Sequence, residues 1–216
     1  MGKPILYSYW RSSCSWRVRI ALNLKGIDYE YRTVNLLSKE EKNAPEWIAI
    51  NPAKKVPAFV DGDATITESL AIIEYIEEKY AEKGKPLLPK DLKLRAQSRA
   101  IALHISAGIQ PIQNVRVLAF LNAKEPDSGP KWANHWLTEG LKELEMLVAK
   151  SAGKCAVGDE VSIADLCIPS ILYNAKRFNV DLTQFPVLVK INEHLSTMPE
   201  FQAAEPDKQP DAGLNA

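Results

Sequence analysis

The sequence predicts two domains: an α/β N-terminal domain with elements in the order βαβ-ββα, and an all-α C-terminal helical bundle. Three observations lead to this fold class. Strand and helix patterns alternate up to Tyr80, a short segment rich in Lys, Gly and Pro comes next, and helical periodicity dominates from Asp91 onward. We therefore predict domains at residues 1–83 and 90–216, and a chain of 216 residues is long enough to form two hydrophobic cores.

The first three elements predict a βαβ unit. Residues 4–10 form an apolar run typical of a buried strand, and a helical pattern from Val18 to Lys25 follows, with Gly26 positioned to end it. Residues 29–35 are rich in aromatic and β-branched side chains, which favours a second strand. A strand, a helix and a strand in so short a span imply a right-handed crossover with a parallel pair.

A hairpin and a helix complete the predicted N-terminal domain. Two strand-like runs, 56–60 and 64–66, flank Asp61-Gly62-Asp63, where glycine readily takes the positive φ of a tight turn. A helix with an apolar stripe is predicted to begin near Glu68.

The second half of the chain predicts helices and little else. Helical patterns cover residues 91–122, 130–150, 162–177 and 186–197, and the tail after Phe201 is predicted to be irregular. Ser162 and Asp165 have the spacing of a capping box at the start of the third pattern. In such a box, the Ser162 hydroxyl accepts from the backbone N–H of residue 165, and the Asp165 carboxylate accepts from that of residue 162.

Composition excludes several classes of function. The chain carries 27 Lys and Arg against 27 Asp and Glu, so no net charge attracts it to nucleic acid or to an anionic membrane. No apolar run approaches the roughly 20 residues that span a bilayer, and the N-terminus lacks a secretory pattern, which together predict a cytoplasmic protein. Three cysteines and three histidines match neither a disulfide framework nor a metal-ligand spacing, so we expect no bound metal.

The turn between the first strand and the first helix concentrates hydroxyl groups and a thiol. Residues 12–17 read Ser-Ser-Cys-Ser-Trp-Arg directly before the helical pattern. The N-terminus of a helix presents unpaired backbone N–H groups and the positive end of the helix dipole, so this turn is suited to an anion. The anion that we favour is a thiolate.

Two further positions have both a structural and a functional interpretation. Pro57 after Val56 is either a plain proline at a strand entry or a cis bend that offers the Val56 backbone to an extended peptide. Glu68-Ser69 at the start of a helix either caps that helix or binds a carboxylate through the Ser69 hydroxyl and the backbone N–H groups.

Together, these features resemble the glutathione-binding domain of the cytosolic glutathione transferases. Within that superfamily, residues 12–22 closely resemble the zeta class. Matching stretches also occur at residues 68–75, 108–111, 157–161, 162–165 and 209–211, so the resemblance spans nearly the whole chain. It implies the cytosolic glutathione transferase fold, with a thioredoxin-like N-terminal domain, and it implies a homodimer.

The resemblance also implies which residues bind reduced glutathione. They are Ser12, Ser13, Cys14, Ser15, Trp16, Arg17, Lys42, Val56, Glu68, Ser69, Gln110 and Asn114. Glu68 stands where relatives often carry Gln, which keeps a hydrogen-bond acceptor for the amino group of the peptide but adds a charge. Lys42 lies in a loop, residues 38–46, whose length differs from that of relatives.

The implied reaction is the glutathione-dependent cis–trans isomerisation of maleylacetoacetate to fumarylacetoacetate in tyrosine and phenylalanine catabolism. The implied catalytic residues are Ser12, Ser13 and Cys14, with the Ser12 hydroxyl as the main donor to the thiolate. Cys14 itself has three interpretations: a nucleophile of low pKa, a site of mixed disulfide formation, or a small residue that fills space beside the sulfur. Arg11 and Arg177 are candidates to bind the carboxylates of the substrate.

Three classes of function remain open at this point. The first is the isomerisation, and the second is conjugation or dehalogenation of small α-haloacids by the same thiolate. The third is a non-catalytic binding protein, which the intact Ser12-Ser13-Cys14 set disfavours. The first two share that set, so the fate of glutathione distinguishes them: an isomerase regenerates it and a transferase consumes it.

Overall fold

The structure, a computed structural model, describes residues 2–213. These residues form two compact units. One contains the described residues up to Pro86 together with those from Met198 onward, and the other is Leu87–Thr197. Domain boundaries predicted from contiguous sequence cannot indicate that a distant segment returns to the first unit, and the segment from Met198 does so here.

The first unit is built on a mixed four-stranded sheet in the order β2-β1-β3-β4. The strands are β1 (Ile5–Ser8), β2 (Glu30–Thr33), β3 (Ala58–Asp61) and β4 (Ala64–Thr67). β1 pairs parallel with β2 and antiparallel with β3, and β3 pairs antiparallel with β4. This arrangement confirms the predicted βαβ-ββα order. A short helix that was not predicted, α2 (Pro45–Ile50), begins at a proline and lies between β2 and β3.

Two helices of the first unit pack against each other. α1 (Ser13–Leu24) begins five residues before the predicted pattern because Ser12 caps it, and Gly26 at φ +60° follows its end as predicted. α3 (Ser69–Lys79) buries Ile72, Ile73 and Ile76. A buried ion pair joins the two helices, with 2.6 Å between Lys25 Nζ and Glu77 Oε2.

The second unit is helical, as predicted, but its first predicted helix is interrupted. α4 (Leu92–Leu103) passes into a π-helical turn at His104–Ile109 and a 3-10 turn at Gln110–Gln113, and α5 (Val115–Lys124) follows. Pro111 has no N–H to donate and its ring obstructs the preceding turn, so the helix cannot continue through it. The other helices are α6 (Ser128–Val148), α7 (Ile168–Arg177) and α8 (Pro186–Ser196).

The predicted capping box is only half correct. The Asp165 carboxylate accepts from the Ser162 backbone N–H at 2.8 Å, as predicted, but the Ser162 hydroxyl also donates to that carboxylate, at 3.0 Å. Asp165 accepts a third hydrogen bond from the Ala156 N–H at 2.7 Å. The carboxylate is fully buried and is the stronger acceptor, so it takes the hydroxyl proton, and α7 begins only at Ile168.

The segment from Met198 is more ordered than the predicted irregular tail. It contains α9 (Pro199–Ala203) and a 3-10 turn at Pro206–Lys208. Phe201, Gln209 and Asp211 are buried within the first unit. We call residues 198–213 the C-terminal strap.

Candidate functional site

Strand register brings the predicted site residues of the first unit to one end of the sheet. Tyr7 in β1 pairs with Ala58 in β3, and Ala58 pairs with Thr67 in β4. The chain therefore leaves β1, enters β3 and leaves β4 at the same end. That end carries the turn before α1, the Val56-Pro57 dipeptide and the start of α3.

Ser12 occupies the N-cap position of α1. Its Oγ accepts a hydrogen bond from the Ser15 backbone N–H at 3.2 Å, and its own N–H donates to the Tyr9 carbonyl at 2.9 Å. As an acceptor, the hydroxyl satisfies one of the otherwise unpaired donors of the first helical turn. The hydroxyl proton is then available for donation to an anion bound at the N-terminus of α1.

The first turn of α1 divides into accessible and buried side chains. Ser12 and Cys14 are half-buried, whereas Ser13, Ser15, Trp16 and Arg17 are buried. Ser15 and Arg17 therefore support the turn from behind, and Ser12 and Cys14 are the side chains that a ligand can reach.

Cys14 is the accessible thiol of the three. None of the three forms a disulfide, and Cys155 and Cys167 are buried. Burial raises the pKa of the Cys155 thiol to about 12, and nearby carboxylates add to this effect. Both buried thiols lie in the second unit and are unsuited to nucleophilic chemistry.

The start of α3 is a second candidate anion-binding site, after the start of α1. Glu68 is exposed at the N-cap position with φ +68°, and its side chain makes no capping hydrogen bond. The capping interpretation of Glu68 is therefore wrong, because its carboxylate takes no N–H of the first helical turn. The Ser69 hydroxyl instead accepts from Arg17 Nη1 at 3.3 Å, which links the N-termini of α1 and α3.

Arg17 is a buried cation with incomplete hydrogen bonding. Its side chain is 1% exposed, and its Nε and Nη2 have no partner among the described residues. An unpaired charge with unsatisfied donors is costly in a protein interior, unless an anion compensates it. A carboxylate bound at the N-terminus of α3 would provide that compensation, so this site fits a ligand with a free carboxylate.

The other predicted residues of the first unit lie around this end of the sheet or on the loop after β2. Val56 is buried, and its peptide bond to Pro57 is cis. Lys42 is half-buried in a 3-10 turn at Glu41–Asn43. Arg11 lies directly before Ser12, and its guanidinium is 5.3 Å from the centroid of the Trp10 ring.

Three predicted residues belong to the second unit. Gln110 begins the 3-10 turn after the π-helical segment, and Asn114 caps α5 by accepting from the Arg116 N–H at 3.1 Å. Arg177 ends α7, and its guanidinium lies 5.1 Å from the centroid of the Phe178 ring.

Sequence reasoning missed the buried polar network behind the α1 turn. Arg19 is fully buried, and its guanidinium donates to the carbonyl groups of Trp10 and Ala204. Asp211 is also buried and accepts from the Trp10 N–H. One signal was available: Arg17 and Arg19 alternate with the apolar residues Trp16, Val18 and Ile20, which predicts buried charges with dedicated partners.

Residues 2–213 contain neither a metal-binding cluster nor a membrane-spanning helix. No group of three or more His, Cys, Asp or Glu side chains in this range is arranged to hold a metal ion. Within the same range, no helix is long and apolar enough to cross a membrane.

Comparison of the sequence with known proteins identifies close relatives. Residues 3–78 match the model of the glutathione S-transferase N-terminal domain. A probable maleylacetoacetate isomerase of Caenorhabditis elegans is 57% identical over 99% of this chain and 98% of its own length. A zeta-class glutathione S-transferase of Euphorbia esula is 52% identical over 96% of this chain and 92% of its own.

Solved structures agree with the sequence relatives. The maleylacetoacetate isomerase of Anaeromyxobacter dehalogenans, with glutathione bound in its active site, is 43% identical and has a TM-score of 0.89 over 97% of this chain and 98% of its own. A second structure of that enzyme holds dicarboxyethyl glutathione and citrate, with 42% identity and a TM-score of 0.88, over 97% of both chains. The fold is that of the glutathione transferases, and identity at this level over nearly the full length means that the chain belongs to the zeta class of that family, which includes the maleylacetoacetate isomerases.

Proposed function

We propose that this chain is a glutathione-dependent maleylacetoacetate isomerase, which converts maleylacetoacetate to fumarylacetoacetate. The observation that carries the proposal is the pair of helix N-termini at one end of the sheet, joined by the hydrogen bond from Arg17 to Ser69. One N-terminus presents a hydroxyl, and the other presents uncapped N–H groups beside a buried cation. The probable maleylacetoacetate isomerase of Caenorhabditis elegans supports the reaction class.

Bound glutathione supplies a thiolate that adds reversibly to the cis double bond of the substrate. The addition makes that bond single, rotation about it follows, and elimination of the thiolate leaves the trans product. An ordinary thiol has a pKa near 8.5, so only a few per cent is ionised at neutral pH, and the site must favour the anion. We assign the Ser12 hydroxyl as the main donor to the sulfur. The positive end of the α1 dipole adds to this stabilisation.

Ser13 and Cys14 complete the proposed catalytic set. Ser13 is buried in the same turn, where we assign it a supporting role to Ser12, and Cys14 is the neighbouring accessible group. Reversible addition needs one thiolate, and glutathione provides it, so a space-filling role for Cys14 suffices.

The start of α3 and the loop after β2 are proposed to anchor the peptide. Ser69 and the adjacent N–H groups receive a carboxylate, and Arg17 compensates its charge from behind. Glu68 accepts from the amino group, and the backbone of Val56 pairs with the peptide. Lys42 is a further cation for the peptide. The contributions of Ser15, Trp16, Gln110 and Asn114 stay predictions from the family resemblance.

Carboxylates of the substrate require cations near the sulfur. Arg11 precedes Ser12 by one residue, and stacking on the Trp10 ring restricts its guanidinium. We propose that Arg11 binds one carboxylate, and Arg177 stays the predicted partner for the other. The dicarboxyethyl glutathione and citrate held by the Anaeromyxobacter enzyme support a site of this kind for dicarboxylic ligands.

The decisive experiment measures isomerisation and glutathione together. Purified protein is incubated with maleylacetone or maleylacetoacetate, with and without glutathione, and free thiol is titrated at the end. We expect conversion to the trans product that requires glutathione and leaves its concentration unchanged. Glutathione loss with α-haloacids and no isomerisation would assign a transferase instead, and binding without turnover of either kind would assign a binding protein.

We also propose a homodimer in the cytoplasm. Large apolar side chains are exposed on helices of the second unit: Leu92, Leu103, Phe120 and Met146. A dimer has twice the chain mass of 24.1 kDa, which light scattering on the eluted protein measures directly. Three cysteines that form no disulfide suit a reducing compartment, and fractionation of cells tests the location.

A further inference from the structure

The C-terminal strap attaches to the backbone that delivers the proposed thiolate-binding hydroxyl. Asp211 is 1% exposed, and its Oδ2 accepts from the Trp10 backbone N–H at 2.9 Å. Its Oδ1 accepts from the Tyr31 hydroxyl at 2.7 Å. Both carboxylate oxygens are therefore committed, one to β2 and one to the residue two positions before Ser12.

Arg19 holds the next peptide group along the chain, the one between Trp10 and Arg11. Its Nη2 donates to the Trp10 carbonyl at 3.1 Å and to the Ala204 carbonyl at 2.9 Å, and its Nε donates to Ala204 at 3.0 Å. Its Nη1 donates to Ser8 Oγ at 3.3 Å. The guanidinium thus joins the end of β1, the turn and the strap in one buried network.

Trp10 is the point where these interactions converge. Its N–H and its C=O are both bound by buried charged groups of opposite sign. Hydrogen bonds to charged partners in a dry interior are stronger and more directional than neutral ones. Each of the two peptide groups that flank Trp10 is therefore held by a buried charged side chain.

The two residues after Trp10 belong to the proposed catalytic machinery. Arg11 is the next residue, and its guanidinium lies over the Trp10 ring. Ser12 comes after it, and its N–H returns to the Tyr9 carbonyl at 2.9 Å. A rotation of either peptide group beside Trp10 would therefore move both the hydroxyl assigned to the sulfur and the cation assigned to the substrate.

We propose that Asp211, with Arg19, is a positioning residue of the active site, and that the C-terminal strap sets the direction of the Ser12 hydroxyl. This inference rests on the proposed function, in which the Ser12 hydroxyl donates to the thiolate of glutathione. If Asp211 had a structural role alone, its loss would lower the stability of the fold and leave the pKa of the bound thiol unchanged. A positioning role predicts a change in the pKa of the bound thiol itself.

The test compares Asp211→Ala and Asp211→Asn with two control variants. Tyr31→Phe removes the other hydrogen bond of Asp211 and leaves the Trp10 contact, and Asn23→Ala removes the bond from Asn23 Nδ2 to the Glu200 carbonyl, which docks the strap at a different point. The first readout is the pKa of the thiol of bound glutathione, from the ultraviolet absorbance of the thiolate. The second is hydrogen exchange of the Trp10 amide.

We expect both Asp211 variants to raise the pKa of the bound thiol by about one unit and to speed exchange of the Trp10 amide. Misplacement of a reacting group by about 1 Å costs up to ~100-fold in rate, so kcat should fall roughly ten- to a hundredfold while KM for glutathione changes little. In the control variants, the ionised fraction of the bound thiol and kcat should each stay within about twofold of the parent values. This should hold even where a control lowers Tm as much as the Asp211 variants do.

Two results overturn the inference. In the first, the Asp211 variants lower Tm but keep the thiol pKa and kcat of the parent protein. In the second, the control variants shift the thiol pKa equally, which would make the effect one of general loosening. If Asp211→Ala does not fold, the thiol pKa and kcat of Asp211→Asn, which retains the size of the side chain, decide whether Asp211 is a positioning residue. Absence of isomerisation in the parent protein would reject the proposed function instead, and the thiol pKa would still test the positioning.

Discussion

Replacement of Ser12 by alanine separates two roles of one hydroxyl. As an acceptor, Ser12 Oγ caps α1 through the Ser15 N–H at 3.2 Å. As a donor, it is proposed to stabilise the thiolate of glutathione. The first role concerns the stability of the fold and the second concerns the ionisation of a bound ligand, so one substitution should change two independent observables.

The two effects have different magnitudes. Loss of an N-cap side chain costs about 0.5–2 kcal/mol of stability. Loss of a hydrogen bond to a charged group costs about 1.5–3 kcal/mol, which corresponds to roughly one to two units in the pKa of the bound thiol. At neutral pH the thiol form would then predominate, so the thiolate fraction and kcat should both fall several-fold, and by at most about tenfold for each unit of pKa.

The assay titrates the thiolate absorbance of bound glutathione against pH in the parent protein and in Ser12→Ala, with thermal unfolding in parallel. Asp91→Ala is the matched control, because Asp91 caps α4 of the second unit by accepting from the Leu94 N–H at 2.9 Å. It should lower stability by a similar amount and leave the thiol pKa unchanged. Ser12→Thr keeps a hydroxyl and should restore part of the ionisation. An unchanged thiol pKa in Ser12→Ala would refute the donor role and leave Ser12 as a cap alone.

Three further predictions concern groups that differ in burial. Arg17→Met should weaken glutathione binding by about tenfold or more, as measured by calorimetric titration. It should not lower the free energy of unfolding, because it removes an incompletely paired buried charge. A less stable variant with unchanged affinity for glutathione would contradict this prediction. Cys14 should be alkylated first in the native protein, with Cys155 and Cys167 protected until unfolding, and mass spectrometry of the labelled peptides measures the order. Burial raises the pKa of Asp165 from 3.8 to about 6, so the stability that this carboxyl contributes is present below about pH 4 and is lost, by up to ~3 kcal/mol, as pH rises through about 6. The free energy of unfolding of the parent relative to Asp165→Asn should therefore decrease over that range in denaturant titrations, and an increase would contradict the effect of burial.

Local patterns were sufficient for the sheet and for one end of the site. The apolar runs, the Asp61-Gly62-Asp63 hairpin and the hydroxyl-rich turn each depend on neighbouring residues, and the register then brings Val56 and Ser69 to the same end as Ser12. The interruption at Pro111 was visible in the sequence as well. It was not predicted because the apolar periodicity on the two sides of Pro111 resembles that of one continuous helix, and such a pattern does not show the loss of a single N–H.

Contacts between distant segments were not predictable in the same way. The apolar neighbours of Arg17 and Arg19 indicate that both arginines are buried, but their partners lie elsewhere in the chain and cannot be identified from the local sequence. The contact between Trp10 and Asp211 spans 201 positions, and no local pattern indicates that the tail returns to the first strand. The Gln209-Pro210-Asp211 stretch supported the family resemblance, yet its role became apparent only from its hydrogen bonds.

The return of the strap to Trp10 also sets an order of events during synthesis. Ribosomes add about 5–20 residues per second, so roughly 10–40 s pass between the emergence of Trp10 and that of Asp211. For that interval the nascent chain has its sheet sequence but lacks the residues that fix the turn before Ser12. A polypeptide released before the strap is made would thus carry every proposed catalytic residue of the first unit and still lack the geometry to use them, so competence for catalysis would arise only after Asp211 has been synthesised.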